Sequence, residues 1–183
     1  LSAPEHFHGR TGRTGATERR RTLMIALTEL GWDSQLVGEL DHRLLKAPSM
    51  KLRSARTGRH GDVVYSVDLR VCVPNAGHYL STTQLHSLEH FLLEGFQRYL
   101  PENFISVGIM GCQTGFYLIF LNEGRSDVLC DTLANILTDL LVAPGVPYQR
   151  IDQCGHYQNH DLEVARELAH QLLQARAHWL EAV

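Results

Sequence analysis

The sequence predicts an α+β fold, an antiparallel sheet packed against helices in two layers, with a metal site carried on one helix. Three observations predict it. Residues 62–73 (DVVYSVDLRVCV) alternate between apolar and polar positions with the period of a strand. Residues 81–100 repeat their apolar positions at helical spacing instead. Beyond them the order runs strand, strand, helix, helix, which favours antiparallel pairing over the regular alternation of a parallel sheet.

Each element has a local reason. The first 36 residues are rich in Gly, Arg and Thr and poor in large apolar side chains, so they read as a flexible N-terminal extension preceding a domain of residues 37–183. A short helix within it would be capped by Thr17 and carry Leu23, Leu27 and Leu30 along one side. Its arginines resemble those of a targeting leader, but Glu5 and Glu18 weigh against one. In the strand at 62–73, Val63, Tyr65, Val67, Leu69, Val71 and Val73 share one face; Ser66, Asp68 and Arg70 lie on the other, as in a half-buried strand. Pro74 ends it. Ser81 and Gln84 form a capping box for the next helix, and Pro101 stops it. The runs FISVGIM and FYLIFL read as two strands around the turn GCQTG. Helices follow at 126–143, broken by APGVP, and from Asp161 to about Leu180.

Composition narrows the function classes. A formal net charge of -3 gives no reason to expect nucleic acid or an anionic membrane as partner. No apolar run approaches the roughly 20 residues a spanning helix needs. Four cysteines without a CxxC pair suit reduced thiols in a cytoplasmic protein.

The helix at 81–100 contains HSLEH. At 100° per residue, His86 and His90 lie about 40° apart around the axis, with Glu89 about 60° to the other side of His86. Two imidazoles one turn apart can reach one ion at roughly 2.0–2.1 Å, with the carboxylate close enough to exchange protons with whatever the ion binds. A catalytic metal needs a third protein ligand and an open position. Glu163 or Glu167 would complete a peptidase-like set of the HxxEH type. Cys154 would instead give a softer site suited to zinc or ferrous iron. Spacing leaves both open, and His160 competes with Cys154.

Five ordered stretches resemble the S-ribosylhomocysteine lyase (LuxS) family: LDHRLLKAP (40–48), GDVVYSVDLRVCVPN (61–75), LHSLEH (85–90), MGCQTGFYL (110–118) and QCG with HDLE (153–163). The resemblance implies a lyase that converts S-ribosylhomocysteine to homocysteine and 4,5-dihydroxy-2,3-pentanedione, the autoinducer-2 precursor of quorum sensing. It implies a homodimer with active sites at the interface and one divalent metal per subunit, natively Fe2+ with Zn2+ or Co2+ as substitutes. His86, His90 and Cys154 would be the metal ligands, Glu89 and Cys112 the catalytic proton carriers, and Arg70 and His42 substrate-binding residues. The chemistry accounts for those residue types. The sugar carbonyl must migrate along the ribose before β-elimination can expel the thiolate, and each migration needs proton transfer beside a carbonyl made acidic by a Lewis acid.

The chain departs from the family pattern in two stretches. Ser106, Gly108 and Ile109 stand where the family has Asp, Ser and Pro, and Val37 and Gly38 replace a Ser-Phe pair. These changes touch the sugar-binding residues and motivate an alternative, a non-catalytic member that binds a ribosyl thioether without turning it over.

Overall fold

The computed structural model describes residues 27–183. Most of the expected N-terminal helix, including Thr17 and Leu23, lies outside the described residues. Residues 27–29 are helical. Leu27 and Trp32 are buried in the core, and the Trp32 indole donates to the Gly124 carbonyl at 2.6 Å.

Four antiparallel strands form one sheet in the order β1-β2-β4-β3. They are β1 (Ser49–Thr57), β2 (Val63–Arg70), β3 (Phe104–Ile109) and β4 (Gly115–Leu121), joined by helices α1 (Thr82–Tyr99), α2 (Ser126–Val142) and α3 (Leu162–Gln174). The α+β reading holds. Met50, Leu52, Val67, Leu69, Phe116, Leu118 and Phe120 from the strands share one core with Leu88, Leu92 and Phe96 of α1, Leu133 and Leu137 of α2, and Leu168 and Leu172 of α3. Period 2 on the strands and 3.6 on the helices bring these residues to a common layer. Capping starts α1 and α3 where the sequence places them. Ser81 accepts from the Gln84 amide while the Gln84 side chain accepts from the Ser81 amide. Asp161 accepts from the amides of Glu163 and Val164.

Three features depart from the sequence reading. Strand β1 was not evident in the sequence; its apolar alternation covers only Met50 and Leu52 before a bulge between Leu52 and Ser54 shifts the register. The last helix ends at Gln174, followed by a 3-10 turn at Arg176–His178. Trp179 then folds back: its indole donates to the Leu172 carbonyl at 2.9 Å, and its own carbonyl accepts from the Met50 amide at 2.6 Å. The tail thereby covers part of the β1 edge, which would otherwise offer unpaired backbone groups. Finally, the polar face of β2 is not exposed at its C-terminal end. Asp68 is 3% exposed and Arg70 4%. Lys51 and Arg53 each lie 3.6 Å from the Asp68 carboxylate, and Lys51 also donates to the Gly38 carbonyl.

Register places chemistry at the end of the sheet. Arg70 pairs with Gly115, so the last residue of β2 sits beside the turn that carries Cys112. A Cβ at Gly115 would fall 2.1 Å from the Leu69 carbonyl oxygen, a backbone atom that cannot swing aside. Gly115→Ala is therefore expected to lower stability by about 1–3 kcal/mol, the usual cost of overpacking, read from the denaturant midpoint at unchanged m-value.

Candidate metal centre

Helix α1 supplies the frame. His86 and His90 rise from one side of it, and the segment between α2 and α3 folds over them. That segment is fastened at several points along the helix. The His86 Nδ1–H donates to the Asn159 carbonyl at 3.1 Å, and the His90 Nδ1–H to the Pro147 carbonyl at 2.7 Å. The Thr83 hydroxyl donates to the Asn159 side chain at 2.6 Å, and the Asp161 amide to the Ser87 hydroxyl at 2.9 Å. Each carbonyl fixes the proton of its histidine on Nδ1 and leaves Nε2 as a free donor atom, the arrangement usual for ligating imidazoles.

His86, His90, Cys154 and His160 each offer a ligand atom within 4.8 Å of the others. The Cys154 sulfur is 3.4 Å from His86 Nε2 and 3.5 Å from His160 Nε2. It also accepts from the His156 amide at 3.4 Å. The structure brings His86, His90 and Cys154 together, and His160, which the sequence offers as a competitor for Cys154, lies in the same cluster. The cluster fits a metal by its chemistry: borderline and soft donors, converging from two elements, with the outer nitrogens of two imidazoles already hydrogen-bonded. Burial and the neighbouring imidazoles hold the His160 pKa down to about 4, and the His86 pKa is lowered for the same reasons. Uncharged rings are the form that can donate to a metal. The alternative carboxylate ligands are absent from this cluster: Glu163 is exposed and bound to Arg166, and Glu167 is exposed.

Glu89 is half-buried on the same helix; burial pushes its carboxyl pKa up, against the opposing pull of His90. It thus keeps its proton to higher pH than a free glutamate. Cys112 is exposed, on the turn joining β3 to β4. Its sulfur lies 3.0 Å from the Thr114 hydroxyl and 3.8 Å from Arg70 Nη1, which also donates to Thr114 at 2.5 Å. Partial burial raises the thiol pKa, but the hydrogen bonds from Thr114 and the Arg70 charge outweigh it and leave the pKa lowered. Thr114 is the residue the sequence reading missed, and its only signal was its place two positions after Cys112. Thr114→Val is expected to move the pH midpoint of Cys112 alkylation by iodoacetamide upward, because the thiolate loses its nearest donor while burial remains.

An open groove joins the two halves of the site. Its walls are Thr82, Leu85 and His86 of α1, Asn159, and Ile109, Met110, Gly111 and Gln113 around the Cys112 turn. Ile109, at the position where the resemblance expects proline, lines this groove. Ser106, in place of the expected aspartate, lies exposed on β3. His42 is exposed in the segment before β1 and has no hydrogen bond to the other predicted site residues within the described chain.

The family model described as S-Ribosylhomocysteinase (LuxS) matches residues 38–183. An S-ribosylhomocysteine lyase of Dichelobacter nodosus is 44% identical over 140 residues, covering 76% of this chain and 90% of the relative. Those of Halobacillus halophilus and Helicobacter pylori are 42% and 38% identical over 142 residues, each covering 78% of this chain and 92% and 90% of the relative. A family match over most of the chain, with relatives near 40% identity along nearly their whole length, places this protein in the S-ribosylhomocysteinase (LuxS) family.

Proposed function

We propose that this protein is an S-ribosylhomocysteine lyase, cleaving the thioether of its substrate to homocysteine and 4,5-dihydroxy-2,3-pentanedione. The observation that carries the reading is the groove, which on a chain of this family runs from His86 of the donor cluster to the turn holding Cys112. His86, His90 and Cys154 hold one divalent cation per subunit, Fe2+ natively, with Zn2+ or Co2+ able to replace it. Such a cation, when bound, supplies Lewis-acid stabilisation of negative charge on the sugar oxygens.

The protein's own residues do the rest. Glu89, with its raised pKa, takes a proton from the hydroxyl-bearing carbon beside the carbonyl and returns it to the former carbonyl carbon, while the hydroxyl proton passes to the former carbonyl oxygen, so that the carbonyl moves along the ribose. Cys112, as thiolate, is the second proton carrier, and Arg70 and Thr114 stabilise its charge. Once the carbonyl stands two carbons from the carbon bearing sulfur, loss of the intervening proton lets that electron pair form a C=C bond and expel homocysteine thiolate. Arg70 and His42 bind substrate. In this reading the chain is a homodimer with active sites at the interface, where His42 completes a neighbouring copy's site. The protein works in the cytoplasm; four free cysteines agree with that compartment, and no helix among the described residues is long and apolar enough to cross a membrane.

A non-catalytic binding role is the second reading, favoured only by Ser106, Gly108 and Ile109. The test is free-thiol release from S-ribosylhomocysteine by protein purified without oxygen and loaded with ferrous iron or cobalt. Metal-dependent thiol release is the expected result. A folded, metal-loaded protein that binds the substrate and releases no thiol would overturn the lyase reading in favour of the second.

A further inference from the structure

We propose that His160 is a positioning residue, a hydrogen-bond donor from Nε2–H to the Cys154 thiolate, and not a fourth ligand of the centre. The inference rests on the reading of His86, His90 and Cys154 as the ligands.

Distance alone does not separate the two roles. Bond lengths of roughly 2.1 Å to nitrogen and 2.3 Å to sulfur put tetrahedral ligands about 3.6 Å apart. His86 Nε2 at 3.4 Å and His160 Nε2 at 3.5 Å from the sulfur both satisfy that. The outer nitrogens separate them. His86 and His90 direct theirs at the carbonyls of Asn159 and Pro147. His160 Nδ1 is buried with no hydrogen-bond partner. A neutral imidazole that ligates through Nε2 must carry its proton on Nδ1, and here that N–H would be buried without an acceptor. With the proton on Nε2, the N–H meets a thiolate, a charge-assisted contact, and Nδ1 is left with only an unused lone pair.

The surrounding structure holds the ring beside the sulfur. The Asp161 amide, next in sequence, is tied to Ser87 at 2.9 Å, and the His160 ring lies over His86 with centroids 3.9 Å apart. The thiolate thus receives two protein N–H groups, from His156 and His160. Each withdraws charge from the sulfur, which weakens its donation and leaves the bound cation a stronger Lewis acid.

Long-range 1H–15N correlation on the zinc-loaded, 15N-labelled full chain tests this without any substitution. Expected are His86 and His90 protonated on Nδ1 with Nε2 shifted by metal, and His160 protonated on Nε2 with neither nitrogen metal-shifted. A metal-shifted nitrogen or an Nδ1–H tautomer at His160, with the other two rings as expected, overturns the inference alone. Absence of metal shifts at His86 and His90 removes the ligand reading and this inference with it. In the cobalt-loaded protein, His160→Ala should move the sulfur-to-cobalt charge-transfer band to longer wavelength with the d–d bands retained, and His160→Gln, which keeps an N–H, should move it back. An unmoved band in His160→Ala overturns the tuning role.

Discussion

Glu89→Gln is expected to lower kcat for thiol release by about 10²- to 10⁴-fold, the range general acid–base groups contribute, with metal content and fold unchanged. Glutamine keeps the size and much of the hydrogen bonding of glutamate but cannot carry a proton between two carbons. The position suits that work: half-buried, on the same helix as His86 and His90, with a pKa raised by burial. Cys112→Ala should cost a similar factor. The double variant should lose less than the product of the two, because both residues serve one proton-transfer sequence and their effects are not independent. Steady-state thiol release with metal analysis on the same samples checks this. Activity of either single variant within a few-fold of wild type would remove that residue from the proton pathway.

Cys154→Ala should abolish stoichiometric metal binding. Second-sphere changes typically weaken metal affinity about 10- to 100-fold, and loss of a direct ligand should exceed that. The structural consequence follows from where Cys154 sits. It belongs to a segment that folds back over α1, 68 residues along the chain from His86, so a bound cation would tie the two together. A ligand that binds only the folded state stabilises it by about 2.7 kcal/mol when present at 100 times its Kd. Removing metal from the wild type with a chelator should therefore lower Tm, and the Cys154→Ala protein should be insensitive to the chelator. Metal elemental analysis and thermal unfolding with and without chelator read both effects. Full metal occupancy in Cys154→Ala would assign the third ligand elsewhere, with His160 first in line.

What the sequence by itself determined is the part that depends on neighbours within about one turn or one strand. The capping box of Ser81 and Gln84, the Asp161 cap, the apolar stripes of the helices and the one-sided projection of His86 and His90 are local properties, and each appears where its pattern puts it. Tertiary structure decided what those patterns meet. Strand β1 exists because β2 offers it an edge; its own apolar alternation is too short to announce it. Trp179 ends the C-terminal helix early because the edge of β1 gives its carbonyl a partner. Asp68 and Arg70 read as a solvent-facing row, yet the pairing register surrounds them with Lys51, Arg53 and Thr114. His160 became part of the centre through the Asp161–Ser87 hydrogen bond, a contact 74 residues apart in sequence. Periodicity encodes which face a residue takes, whereas the partner across that face is set by register and packing between segments that carry no local trace of each other.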